Sequence, residues 1–113
     1  MKHVDLYGHK YPLVVLHWRD IAGDSATVVS EDFEELVCAH IITIGYLYDT
    51  FIQDGERYVR TFASYEIKAG RAAFGDRNVY PMSVFTARSR KVLKQAINFQ
   101  KRGNKDVRFR NRH

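Results

Sequence analysis

Apolar residues recur with two periods along this chain. One is the alternation of half-buried strands, and the other is the 3.6-residue spacing of amphipathic helices. Leu13-Val14-Val15-Leu16-His17-Trp18 is a β-rich run, predicting a first strand over Pro12–Arg19 with Pro12 at the first position, where a missing N–H is tolerated. Residues 1–11 show no clear period and read as an irregular lead-in. Asp20–Thr27, centred on Gly23-Asp24-Ser25, reads as a loop. Ser30 has the chemistry of a helix N-cap, with Glu31, Asp32, Glu34 and Glu35 crowding the positive end of the dipole. Phe33, Leu36, Val37 and His40 share one face, so a helix near 31–39 is predicted.

Ile41–Phe62 reads as one long hairpin, because Asp54-Gly55 between two β-rich runs matches a type I′ turn. A two-residue turn there sets Phe51 opposite Tyr58, Asp49 opposite Arg60 and Leu47 opposite Phe62. On the other face it sets Thr50 opposite Val59, Tyr48 opposite Thr61 and Tyr46 opposite Ala63. Gly45 inside the first arm marks a bend that lets the sheet coil. Ser64–Asn78 extends the strand briefly and then loops through Gly70 and Gly75. Asn78–Pro81 reads as a short strand, and Met82–Ala87 suits either a turn plus strand or a helix start. Val92, Leu93, Ala96 and Ile97, extended by Phe99 or Gln100, form the stripe of a C-terminal helix near 89–102. Gly103 stands where a C-cap glycine would. The expected class is α+β: a small twisted, partly closed antiparallel sheet of four or five strands with these two helices. Residues 1–103 form one domain, and 104–113 form a basic flexible tail.

Charge divides the chain. Met1–Thr86 holds eight Lys/Arg against twelve Asp/Glu, whereas Ala87–His113 holds ten against Asp106 alone. The net +5 therefore belongs to the C-terminal quarter. A lone cysteine, Cys38, has no internal disulfide partner and fits a reducing compartment. With no signal-like core or membrane-length apolar run, a cytoplasmic protein is expected.

The order of motifs carries a resemblance. Trp18-x-Asp20 follows an apolar strand, and Ile44-Gly45-Tyr46-Leu47 stands as a small-Gly-aromatic-aliphatic strand. Tyr58-Val59-Arg60-Thr61-Phe62-Ala63-Ser64 and Val79-Tyr80-Pro81-Met82-Ser83-Val84 complete the set. Over Leu13–Ala87 this resembles a broad group of small tailed-phage proteins with a W-x-D start. The resemblance implies an SH3-like or Sm-like β-barrel encoded by a phage and acting in the host cytoplasm. It brings no catalytic residues to carry over, and the basic C-terminal extension departs from the pattern.

Candidate chemistry is sparse. Cys38 and His40 are two residues apart and would point roughly 200° apart on a helix, so they do not form a nucleophile–base pair. Among His3, His9, His17, His40 and His113 no zinc-like spacing occurs, although His17 and His40 can meet in space. Asp20, Asp24 and Asp49 are an alternative carboxylate cluster, but Asp49 already has Arg60 as its expected partner. No phosphate-cradling glycine motif is present. The expectation is a non-enzymatic protein without cofactor or metal.

Two binding signals remain. Arg88, Arg90, Lys91, Lys94, Lys101, Arg102, Lys105, Arg108, Arg110 and Arg112 can track phosphates or an acidic partner, and Phe109 can stack on a base. The same charges also suit a solvated helix face or pairing with the acidic helix. Tyr46, Tyr48 and Tyr58 are candidates for a protein-binding aromatic face, or else they cap the ends of the barrel. Together with the resemblance, these point to a phage accessory protein that binds a host protein in takeover or counter-defence. The alternatives are a nucleic-acid binder using the C-terminus, and a small-ligand or nucleotide sponge; a homo-oligomer is compatible with each.

Overall fold

A computed structural model describes residues 1–21, 23 and 25–104. It is an α+β protein of seven antiparallel strands: β1 (His3–Leu6), β2 (His9–Arg19), β3 (His40–Gln53), β4 (Glu56–Phe62), β5 (Ser64–Lys68), β6 (Arg71–Gly75) and β7 (Asn78–Pro81). Helix α1 (Ser30–Glu34) lies between β2 and β3. A 3-10 turn (Met82–Val84) leads into helix α2 (Ala87–Gly103). Five strands make one sheet in the order β1-β2-β3-β4-β7, and β5-β6 is a separate two-stranded sheet. The sheet is not closed. Across its open side the described residues make an isolated bridge between Trp18 and Phe85, and Thr86 N–H donates to the His17 carbonyl at 3.0 Å.

Three hairpin turns share one backbone solution. Tyr7-Gly8, Asp54-Gly55 and Ala69-Gly70 all place both central residues at positive φ, between 52° and 83°, the type I′ geometry that matches the twist of the flanking strands. Only the Asp54-Gly55 turn was expected. The irregular lead-in over 1–11 is instead the β1-β2 hairpin, and the loop through Gly70 and Gly75 is the β5-β6 hairpin. In both, tyrosine or alanine occupies a left-handed position that asparagine, aspartate or glycine would normally mark. The Asp5 carboxylate accepts from Gly8 N–H at 2.9 Å and helps hold the first turn.

The central hairpin keeps the expected register only near its turn. Gln53↔Glu56, Phe51↔Tyr58, Thr50↔Val59 and Asp49↔Arg60 pair as the turn dictates, and then the register shifts to Leu47↔Thr61 and Tyr46↔Phe62. Tyr48 is the extra residue of a β-bulge, so the expected Leu47–Phe62, Tyr48–Thr61 and Tyr46–Ala63 pairs do not form. Gly45 is not the bulge. A Cβ there would lie 3.1 Å from the Phe62 carbonyl oxygen, so glycine permits close strand contact instead of a bend.

Two clusters form the core, one on each face of the sheet. Val14, Leu16, Leu47 and Val59 bury against Leu93 and Ala96 of α2, with Tyr80 and Phe85. Leu6, Tyr11 and Phe62 bury on the other face, covered in part by Ala72 and Phe74 of β6. The first helix is shorter than the expected 31–39, and no residue in it is buried. Val29 precedes it without a side-chain cap, and Ser30 is its first helical residue. Phe33 is 68% exposed, and Leu36 and Val37 are exposed as well, so the amphipathic stripe meets no core.

Helix α2 is attached by polar side chains that stand in for a neighbouring strand. The Tyr48 bulge sits where β2 has already left β3, whose last pair with it is Leu13–Tyr46. Gln100, buried, donates Nε2–H to Leu47 O at 3.1 Å and Tyr48 O at 2.9 Å, with Lys10 O at 3.4 Å. Asn104 follows the helix and is 2% exposed. Its amide accepts from Lys10 N–H at 2.9 Å and donates to Lys10 O at 3.1 Å, as a strand residue would. At the other end Ser89 Oγ accepts from His17 N–H at 2.7 Å. Thr86 caps the helix by accepting from Ser89 N–H. Gly103 is the last helical residue and packs against the Lys10 side chain; it is not a left-handed cap.

Gln100→Ala should therefore cost about 2–3 kcal/mol, because buried carbonyls lose their donor. Urea denaturation reads this directly, and a loss below about 0.5 kcal/mol, the scale of neutral surface changes, would contradict the assignment.

Candidate interaction surface

The face of β2 and β3 opposite α2 is only half covered. At the lower end Tyr11, Tyr46, Tyr48, Phe62 and Phe74 pack as an aromatic group. Tyr11 stacks on Tyr48 at 5.8 Å between ring centroids and meets Phe62 edge-on at 5.2 Å. Burial pushes the Tyr11 hydroxyl up to about 12 from its ordinary 10, and the charges of Tyr48 and Asp49 add to the shift. Above the reach of the β5-β6 hairpin the same face is open. The ladder sets Leu13 opposite Tyr46, Val15 opposite Ile44 and His17 opposite Ile42. Ile42 is 57% and Ile44 61% exposed, and Val15 is exposed beside them. At the Leu13–Tyr46 end this strip meets an open groove bounded by Met1, Lys2 and His3.

The segment that joins β2 to β3 at the top of the strip is acidic. Between Asp20 and His40 the chain has no Lys or Arg, and it carries Glu31, Asp32, Glu34 and Glu35 beside exposed Val29, Phe33 and Val37. At the top of the strip the His17 and His40 rings meet, with Nδ1 of His17 2.9 Å from Nε2 of His40.

The three tyrosines singled out from the sequence lie together around the central hairpin, each half-buried. Tyr46 stacks on Phe62 and Tyr58 on Phe51. Tyr48 stacks on Tyr11, and the Arg60 guanidinium lies 5.5 Å from its ring centre and 4.8 Å from that of Phe51. Arg60 itself is held in a bidentate pair with Asp49, one arm at 2.6 Å. These rings spend much of their area on one another. An open cleft of 290 Å³ between the sheets is lined by Tyr48, Phe62, Phe74, Arg60 and Arg77.

The basic candidates divide. Arg88, Lys91, Lys94, Lys101 and Arg102 are exposed along α2, and among the described residues none has a carboxylate partner. Arg90 is also exposed, but its guanidinium donates to the Phe85 carbonyl at 2.6 Å, which ties the helix start to the chain before it. Lys105, Arg108, Phe109, Arg110 and Arg112 lie outside the described residues. Sequence reasoning missed the open strip itself. Val15, Ile42 and Ile44 read as core strand positions, and no local signal says that the covering hairpin stops short of them.

The described residues form a small antiparallel α+β protein with an exposed apolar strip on one face of the sheet and α2 packed on the other. No protein-family model matches the chain, and no curated protein or solved structure matches it significantly. Among the described residues no helix is long and apolar enough to cross a membrane.

Tyr11 gives this surface a pH signature. A phenol whose pKa is raised on folding contributes stability in full below pH 10 and loses it as pH rises through about 12. Tyrosinate absorbance should show one tyrosine ionising last, near 12, and Tyr11→Phe should remove it. Loss of a different, earlier step in that variant would contradict the burial assignment.

Proposed function

We infer that this chain is a non-enzymatic protein-binding module, and that in the phage setting its motifs resemble, the partner is a host protein. The open strip of Val15, Ile42 and Ile44 carries this reading. A small protein with two core clusters has no need to leave β-branched residues bare on a sheet face, and such patches mark partner sites. The acid in the connection between β2 and β3 sets the partner's chemistry: an apolar surface accompanied by lysine and arginine, which also favours rapid encounter. The SH3-like or Sm-like reading of the fold is part of the proposal. It is supported by the return of Phe85 to Trp18 across the open side of the sheet.

A second reading rests on α2. The exposed Arg88, Lys91, Lys94, Lys101 and Arg102 follow one another along a single helix without carboxylate partners among the described residues, which suits a phosphate backbone.

The two readings part under substitution. Ile42→Lys with Ile44→Lys should leave urea stability within about 0.5 kcal/mol while abolishing affinity capture of a stoichiometric, nuclease-resistant partner. Retained capture would overturn the protein-binding reading. A mobility shift of nucleic acid that is steeply salt-dependent and lost in Arg88→Glu with Lys91→Glu would favour the second reading.

A further inference from the structure

We propose that His17 and His40 form a chelate for an imidazole-preferring divalent transition ion, such as zinc, nickel or copper(II). Arg19 pairs with His40 and His17 pairs with Ile42 across β2 and β3, so the two histidines are diagonal neighbours on one face of the ladder. Their rings meet with Nδ1 of His17 2.9 Å from Nε2 of His40, at 5.1 Å between centroids and 63° between planes. At that distance one nitrogen donates a proton and the other offers a lone pair. Moving that proton to the other nitrogen of the donor's ring, a change of tautomer, leaves both rings neutral with a lone pair on each of the facing nitrogens. Two nitrogens bound tetrahedrally at 2.0–2.1 Å stand roughly 3.3 Å apart, so the rings need to open by only about 0.4 Å.

The strands hold this geometry in place. His17 is fixed through both backbone groups, its N–H to Ser89 Oγ at 2.7 Å and its carbonyl to Thr86 N–H at 3.0 Å. On the neighbouring strand, Asp20 N–H donates to Ala39 O at 2.9 Å and clamps the chain just before His40. A metal needs ligands that do not reorganise, and here only side-chain rotation remains. Imidazole suits zinc, copper and nickel, while hard oxygen-seeking ions such as magnesium or calcium have no donor set here.

Among the described residues no group of three or more histidine, cysteine, aspartate or glutamate side chains is assembled around an ion position. The chelate is therefore two-handed, with its remaining positions open to water or to a donor from another molecule. Binding there would staple the ends of β2 and β3 where residues 20–39 leave the sheet. Because only the folded chain brings the pair together, the ion would also raise the melting temperature.

Calorimetric titration of the full chain with zinc chloride alone tests this, with ring ¹⁵N shifts identifying the ligating nitrogens. One saturable site is expected, with shifts at His17 and His40 and a metal-dependent rise in melting temperature. His17→Ala and His40→Ala should each weaken binding by at least the roughly 10–100-fold that loss of an outer-shell partner alone costs. His17→Gln and His40→Gln keep a polar side chain of similar reach, and they should fold normally yet lose the site. Affinity unchanged in the histidine variants overturns the proposal. So does binding lost only in Cys38→Ser, or the absence of saturable binding at millimolar zinc.

Discussion

A β-bulge at Tyr48 creates the debt around which the rest of the molecule is arranged. One extra residue shifts β3 against β4 just where β2 leaves it, beyond the Leu13–Tyr46 pair, so the Leu47 and Tyr48 carbonyls have no partner from β2. Gln100 answers that need from α2. The helix can reach it only because Leu93 and Ala96 lie flat on Val14, Leu16, Leu47 and Val59. Apolar packing sets the distance, and amide hydrogen bonds set the register. Ser89 and Asn104 extend the same logic to His17 and Lys10, so the two ends of the helix satisfy backbone groups on both edges of β2. Among the described residues no buried side-chain nitrogen or oxygen is left without a partner.

Strand alternation divides the sheet's two faces into different jobs. Leu47 points into the helix-covered core, while Tyr46 and Tyr48 point into the aromatic group under β5-β6. That hairpin covers the lower half of the second face and stops. What lies above it, the strip of Val15, Ile42 and Ile44 with the histidine pair at its top, is the surface the fold leaves available. The acidic stretch around α1 lies in the connection between β2 and β3, and among the described residues the exposed cations of α2 pair with none of its carboxylates.

Much of this was legible in the residues, for identifiable reasons. Asp54-Gly55 announced its turn, and with it the Asp49–Arg60 and Phe51–Tyr58 pairs, because positive φ at both central positions is written into that dipeptide. Tyr7-Gly8 and Ala69-Gly70 adopt the same turn with residues that do not advertise it, so two hairpins read as loops. The Tyr48 bulge was illegible because no local residue announces it, and the group that bonds the carbonyls beside it lies fifty residues away, in a glutamine that looked like an optional end to an apolar stripe. Gly45 drew attention to the right strand for the wrong reason. The helix near 31–39 forms only over Ser30–Glu34: the periodicity was present, but Ser30 does not cap it and nothing packs on the stripe, and tertiary burial normally supplies most of a short helix's stability. The meeting of His17 and His40 was foreseeable only as a possibility of the fold, since it follows from the β2-β3 register and not from spacing.

The central claim, that polar groups of α2 and its caps satisfy backbone groups of β2 that no strand reaches, is tested most directly by native-state hydrogen exchange at the His17 and Lys10 amides. Both donate to side chains of the helix region, Ser89 Oγ and Asn104 Oδ1. The account predicts that they exchange as slowly as amides inside the β2-β3 ladder, opening only with global unfolding. Exchange at the rate of an unpaired edge strand, with the ladder amides still protected, would show that the helix merely rests on the sheet.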